Sequence, residues 1–468
     1  MRGVREDPPV NTPATATGPA PRGSAGEVFR AFLKLGLTSF GGPIAHLGFF
    51  RDEFVTRRKW VRESEYADLV ALGQFLPGPA SSQVGFALGL LRAGPLGALA
   101  AWVAFTLPSA ILLVAFAYGA TLFDNAIGAG VLAGLKVVAV AIVAQAVWGM
   151  ARTLTPDARR AGIAVVAAIL VLFVAGPVGQ VGAISLGALA GYLLCRDAPA
   201  GTAVVTTLRI PVSRRAGIVA LSLFAALLVA LPVAAAALGT APSTSGVNPA
   251  LNTAGSTAIH VADSFYRAGA LVFGGGHVVL PLLQAEVVTG GSGGSAAGIP
   301  WEGGAETGSA PGGAAAPSGA AQSGWVTPDA FLAGYGAAQA VPGPLFTFAA
   351  YLGALAEPGP AGLVTAAIAL VAVFLPGLLL LVGVLPFWNT FRTKRPAQAI
   401  MRGANAAVVG ILAAALYDPV FVTAIVDHAT FALALVCFAL LVSWRTPPWV
   451  VVLVGAAGGA LLALLTNS

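Results

Sequence analysis

Four short glycine- and proline-rich knots carry the residues able to do chemistry. The first is Ser39-Phe40-Gly41-Gly42-Pro43 and the second is Gln74-Phe75-Leu76-Pro77-Gly78-Pro79. Two more follow in the second half, Val272-Phe273-Gly274-Gly275-Gly276 and Gln339-Ala340-Val341-Pro342-Gly343-Pro344. Glycine lets a ligand approach the backbone, and a helix restarting after such a knot offers unpaired N–H groups and about half a positive charge. Cations stand close by. Lys34 and Arg267 each precede a glycine knot, and Lys136 lies inside an apolar run. That chemistry suits an anion with several oxygen acceptors, for which Lys34, Gly41, Gly42, Gln74, Lys136, Arg267, Gly274, Gly275, Gln339 and Asn405 are the candidate ligands. Glu53, Glu286, His46 and His277 are candidates for moving a proton. The residues imply no cofactor, no metal cluster, no P-loop and no nucleophile triad.

The knots come from a duplication. Placing Phe40 on Phe273 puts Phe32 on Phe265, Lys34 on Arg267 and Glu53 on Glu286 without a gap. Placing Pro77 on Pro342 puts Trp60-Val61 on Trp325-Val326, Gln74 on Gln339 and Gly94-Pro95 on Gly359-Pro360. Placing Gly134 on Gly403 sets Lys136 against Asn405. A repeat of this kind fixes the architecture before any single element does.

The elements that hold the knots are membrane helices. The chain has 468 residues, 57% hydrophobic and 9% charged, with a mean hydropathy of +0.85. Residues 93–123 carry no charge, and a span needs about 20 such residues. The expected fold is an all-α polytopic membrane protein with two inverted-topology repeats and broken, re-entrant helices. Residues 1–26 are expected to be a disordered tail, 27–196 the first repeat, 197–260 a linker with one inverting span, and 261–468 the second repeat. A Gly/Ala/Ser-rich loop at 289–324 is expected to be flexible. Ordinary spans are expected near 96–119, 129–150, 161–176, 180–195, 216–237, 361–387, 399–417, 427–443 and 448–465, with four broken hairpins besides.

Charge supports the inversion. Arg51, Arg57, Arg58, Lys59 and Arg62 follow the first glycine knot, whereas the matching stretch from Glu286 to Asp329 holds acids and no Lys or Arg. The positive-inside rule then puts Arg58 in the cytoplasm and Trp301 outside. The net charge of +6 reflects this loop bias and implies no nucleic acid. Simpler roles stay open: the knots as packing kinks, Lys34 and Lys136 as snorkelling side chains, the histidines as hydrogen-bonded structural groups.

The paired knots, Phe40-Gly41-Gly42-Pro43 with Pro77-Gly78-Pro79 and Phe273-Gly274-Gly275-Gly276 with Pro342-Gly343-Pro344, resemble those of the chromate ion transporter family, long two-domain type. The resemblance covers about residues 27–465. It implies a bacterial inner-membrane protein that exports chromate, with sulfate as a competitor, and confers chromate resistance. Without it the residues reach only as far as an anion transporter. A passive oxyanion channel, a transporter of another small anion and an intramembrane enzyme remain alternatives, and a homodimer stays open. Gly276 stands where the first repeat has Pro43, so the two glycine knots need not share one geometry.

Overall fold

A computed structural model describes residues 23–119, 125–174, 177–196, 212–239, 249–273, 278–288, 324–388 and 394–466. Among the described residues the chain is helical throughout. In the first half the helices are α1 (Ala25–Thr38), α2 (Gly42–Arg51), α3 (Glu63–Phe75), α4 (Ala80–Gly119), α5 (Ala126–Leu154), α6 (Ala158–Phe173) and α7 (Pro177–Leu194). α8 (Arg214–Gly239) lies in the linker segment. The second half holds α9 (Pro249–Leu271), α10 (Val279–Val287), α11 (Pro328–Ala340), α12 (Phe348–Ala354), α13 (Ala361–Val384), α14 (Arg395–Ala415), α15 (His428–Val442) and α16 (Pro448–Thr466).

Breaks fall where glycine and proline forbid continuation. Gly41 sits at φ 103° and Gly42 at φ 77°, so α1 stops and α2 begins with Pro43 in its first turn. Gly78 at φ 115° matches Gly343 at φ 104°, and Gly94 at φ 68° matches Gly359 at φ 62°. α4 therefore turns at Ala93-Gly94, where α12 and α13 are separate helices. Side-chain caps fix several starts: Ser24 accepts from Glu27 N, Asn125 from Gly128 N, Asp157 from Arg160 N and Asp427 from Thr430 N.

Six described helical stretches are long and apolar enough to cross a membrane: Ala80–Gly119, Ile127–Leu154, Arg214–Leu238, Ala361–Phe387, Arg395–Ala424 and Pro448–Leu465. These stretches coincide with six of the nine expected spans. Segments expected near 161–176, 180–195 and 427–443 form helices of 16, 18 and 15 residues. At about 1.5 Å per residue they fall short of, or barely approach, a hydrocarbon core about 30 Å thick.

The halves exchange helices. α5 packs on α16 and α15, and α14 packs on α7 and α6. Small residues four apart allow both approaches. A Cβ added at Gly134 would strike the Gly455 carbonyl and one at Gly130 the Gly459 carbonyl, while one at Gly191 would lie 2.6 Å from Gly403 Cα.

Candidate functional site

The four knots meet, and they meet crosswise. Gly343 N–H of the second half donates to Ser39 O of the first at 2.9 Å, and Gly78 N–H of the first donates to Val272 O of the second at 2.6 Å. Ser39 and Val272 are matched positions, as are Gly78 and Gly343. Each Pro-Gly-Pro loop thus caps the helix that ends at the other half's glycine knot. The two loops also lean on matched helix positions. A Cβ at Gly78 would lie 2.9 Å from Gly377 Cα, and one at Gly343 would strike Ser109 Oγ. Gly377 and Ser109 each follow a helix-interior proline, Pro376 and Pro108.

His46 ties the first glycine knot to the start of α4. Its side chain is fully buried; Nε2 donates to Ser39 O at 3.2 Å and Nδ1 faces Ser81 Oγ at 3.4 Å. A carbonyl only accepts, which sets the proton on Nε2 and leaves Nδ1 to accept from the serine. With Gly343 N and His46 Nε2, Ser39 O accepts two donors. Gln83 performs a similar office beside Pro77, donating through Nε2 to Pro77 O and Gly377 O, both at 2.9 Å.

Around this crossing lie buried polar atoms without a protein partner: Ser39 Oγ, Ser82 Oγ, Thr106 Oγ1, Ser109 Oγ and Gln83 Oε1. Ser39 is 0% exposed. A buried hydroxyl left unpaired is unfavourable by about 1–3 kcal/mol, so a cluster of them beside helix starts is suited to an oxygen-rich ligand. Helix starts supply further donors. α2, α4 and the turn Leu345–Thr347 that leads into α12 each begin directly after a knot. Gln339 Nε2 and Asn405 Oδ1, both sequence candidates, likewise lack a partner.

The expected cations take other places. Lys34 is exposed on α1. Lys136 Nζ is paired with Asp329 Oδ1 of α11 at 2.7 Å. Arg267 Nη2 is paired with Glu286 at 2.8 Å and Asp263 at 3.0 Å. Glu53 is buried and held by Arg57 at 2.7 Å and Arg58 at 2.6 Å. Gln74 is exposed at the end of α3. Gly274, Gly275, Gly276 and His277 lie outside the described residues. What the structure assembles at the crossing is therefore a set of backbone dipoles and hydroxyls, flanked by ion pairs, with Gly41, Gly42 and Pro43 at its edge. Asp263 and the hydroxyl group were not found from sequence. Their signals were Asp263 standing where the first repeat has Arg30, and Ser81, Ser82, Thr106 and Ser109 interrupting apolar helices.

The Lys136–Asp329 pair joins α5 of one half to α11 of the other. Asp329 is 68% exposed along its side chain, so the pair adds little to stability. Lys136→Met should leave protein yield and Tm nearly unchanged and lower anion efflux at least twofold. Exchanging the charges, Lys136→Asp with Asp329→Lys, should recover most of it. Full efflux by Lys136→Met would remove the pair from transport.

An all-α, multi-pass membrane protein whose halves cross at broken helices has the architecture of a membrane transporter. The chain belongs to the chromate transporter family, a family of membrane transporters and not of enzymes: the family model "Chromate transporter" matches residues 26–192 and 319–460, in both halves. It is 28% identical over 460 residues to the chromate transport protein of Pseudomonas aeruginosa, covering 96% of this chain and 95% of that one. It is 24% identical over 480 residues to the chromate transport protein of Cupriavidus metallidurans, covering 98% and 97%. A probable chromate transport protein of Synechococcus elongatus is 26% identical over 463 residues, covering 94% and 96%. No solved structure matches the chain.

Proposed function

We propose that this protein is a secondary transporter that exports chromate, with sulfate as a competing dianion, and so confers chromate resistance. The names carried by full-length relatives supply the substrate. The observation that carries the mechanism is the reciprocal capping, Gly343 to Ser39 and Gly78 to Val272, beside unpaired buried hydroxyls. It supports two inverted repeats related by an axis through the crossing, where alternating access moves one unit against the other around a fixed site. In this reading Ser39, Ser82, Thr106 and Ser109 donate hydroxyls to the oxyanion, and the starts of α2 and α4 supply N–H groups and partial positive charge. Neutral donors suit a transporter, which must release its anion as readily as it binds it.

The test is radiolabelled chromate uptake into inverted membrane vesicles, with and without an imposed proton gradient. Uptake should require the gradient and be inhibited by sulfate. A hydrogen bond to a charged group contributes about 1.5–3 kcal/mol, so Ser39→Ala and Ser109→Ala should each raise the KM for chromate about tenfold. Unchanged KM in both would move the site away from the crossing. Uptake that is indifferent to any gradient would make the protein a passive oxyanion channel.

A further inference from the structure

A basic cavity between the two halves has no part in the crossing described above. It has a volume of about 420 Å³ and is lined by Asp157, Arg159, Arg160, Leu194, Cys195 and Arg402, with Ala158 at its rim. Three helices build it: the start of α6, the end of α7, and α14 from the second half. Its guanidinium groups are anchored. Arg159 Nη1 donates to Leu194 O at 2.8 Å, Arg402 Nη1 donates to Cys195 O at 3.2 Å, and Arg160 Nε donates to Asp157 Oδ2 at 2.6 Å. Three guanidinium groups stand against one carboxylate, so the cavity is net positive by two charges among its lining residues. Each guanidinium carries five N–H donors, and its planar fork suits phosphate oxygens.

The duplication shows that these cations are not needed for the fold. At the matching corner of the second half, Asp427 keeps the capping role, accepting from Thr430 N at 2.7 Å. Yet Ala429, Thr430 and Ala133 stand where Arg159, Arg160 and Arg402 are found. Helix caps of the same design therefore form without any arginine. Beside the cavity, the outer faces of α6 and α7 expose Val165, Val166, Ile169, Leu193 and Leu194. In a membrane those side chains face acyl chains. A cationic pocket that opens onto an acyl-facing wall matches a molecule with an anionic head and an apolar tail.

We infer that this cavity binds the phosphodiester headgroup of an anionic glycerophospholipid, and that the bound lipid bridges the two halves of the transporter at their basic side. Basic pockets between membrane helices recognise anionic headgroups in this way, each cation near the surface contributing severalfold in affinity. Free phosphate shares the headgroup's chemistry but not the tail, so the two sources can be separated.

The experiment is native mass spectrometry of the purified full-length protein in neutral detergent. The probes are phosphatidylglycerol, phosphatidylcholine of the same chain length, and inorganic phosphate. Phosphatidylglycerol should bind about tenfold or more in preference to phosphatidylcholine. Millimolar phosphate should not displace it. Arg159→Gln with Arg402→Gln should bring phosphatidylglycerol down to the phosphatidylcholine level while the crossing's KM for chromate is unchanged. Arg402→Gln alone gives the same reading at smaller amplitude if the double variant is poorly produced. Equal binding of the two lipids by the parent protein would overturn the inference. Displacement of phosphatidylglycerol by phosphate would also overturn it, because the site would then take free anions. Retained preference in the arginine variants would place the lipid elsewhere.

Discussion

Gly343→Ala is expected to abolish chromate transport, and adding Ser109→Gly is expected to restore part of the lost thermal stability but not the transport, because Ser109 is itself a proposed donor to the anion. Three effects act together at this position. Gly343 has φ 104°, where a Cβ is strained by about 1–2 kcal/mol. The new Cβ would strike Ser109 Oγ and approach Phe105 O at 3.2 Å. Moving the loop to relieve the overlap would break the Gly343 N–H bond to Ser39 O. Export should fall by tenfold or more, even where protein reaches the membrane. Removing the Ser109 side chain eliminates the nearest overlap but leaves the strain, so the Tm should recover only in part, and the lost hydroxyl keeps transport low. Gly78→Ala makes the contrast. Its Cβ would meet the Cα of Gly377, which is backbone and cannot be trimmed away. No side-chain truncation should rescue that variant. The measurement is growth in graded chromate together with vesicle uptake. Wild-type export by Gly343→Ala would mean that the crossing tolerates opening there, and the capping bonds would lose their assigned importance.

Glu286→Gln is expected to uncouple transport from the proton gradient. Glu286 and Asp263 are 4% and 5% exposed, and both are paired with the single guanidinium of Arg267. Two buried carboxylates on one cation leave a negative charge that burial disfavours, and holding one proton relieves it. The elements around them add little: α13 has no ionisable residue, α8 carries Arg214 and Arg215 at its start, and His260 lies three residues before Asp263 on α9. The matching cluster of the first half is different. Glu53 there has Arg57 and Arg58 on it and Lys34 within electrostatic reach, and Arg30 replaces Asp263. That copy needs no proton. Gradient-driven uptake by Glu286→Gln should fall at least tenfold, with chromate exchange in the absence of a gradient within about twofold of the parent. Glu53→Gln should instead lower protein yield, because it weakens the two charge-assisted bonds from Arg57 and Arg58 that hold the buried Glu53 side chain, while the surviving protein stays coupled. Unaltered gradient dependence in Glu286→Gln would return the triad to a structural role.

How much of this was legible in the sequence follows from which interactions are local. Charge-free runs determine the membrane class, because any residue buried in hydrocarbon must be apolar whatever its neighbours. Glycine and proline determine where helices stop, because φ at Gly41, Gly78 and Gly343 and the missing N–H of proline are properties of single residues. The duplication determined that whatever one half does at its knots, the other half has the parts to do. Pairing was not legible. Lys136 reads as an isolated cation until α11 brings Asp329 to it, and Arg267 reads as a substrate ligand until Asp263 and Glu286 surround it. Above all, only tertiary structure decided that each Pro-Gly-Pro loop caps the other half's break and not its own. That choice depends on which helices can pack closely, through Gly134 on Gly455 and Gly191 on Gly403. Such contacts join residues hundreds of positions apart, and no periodicity within either half records them.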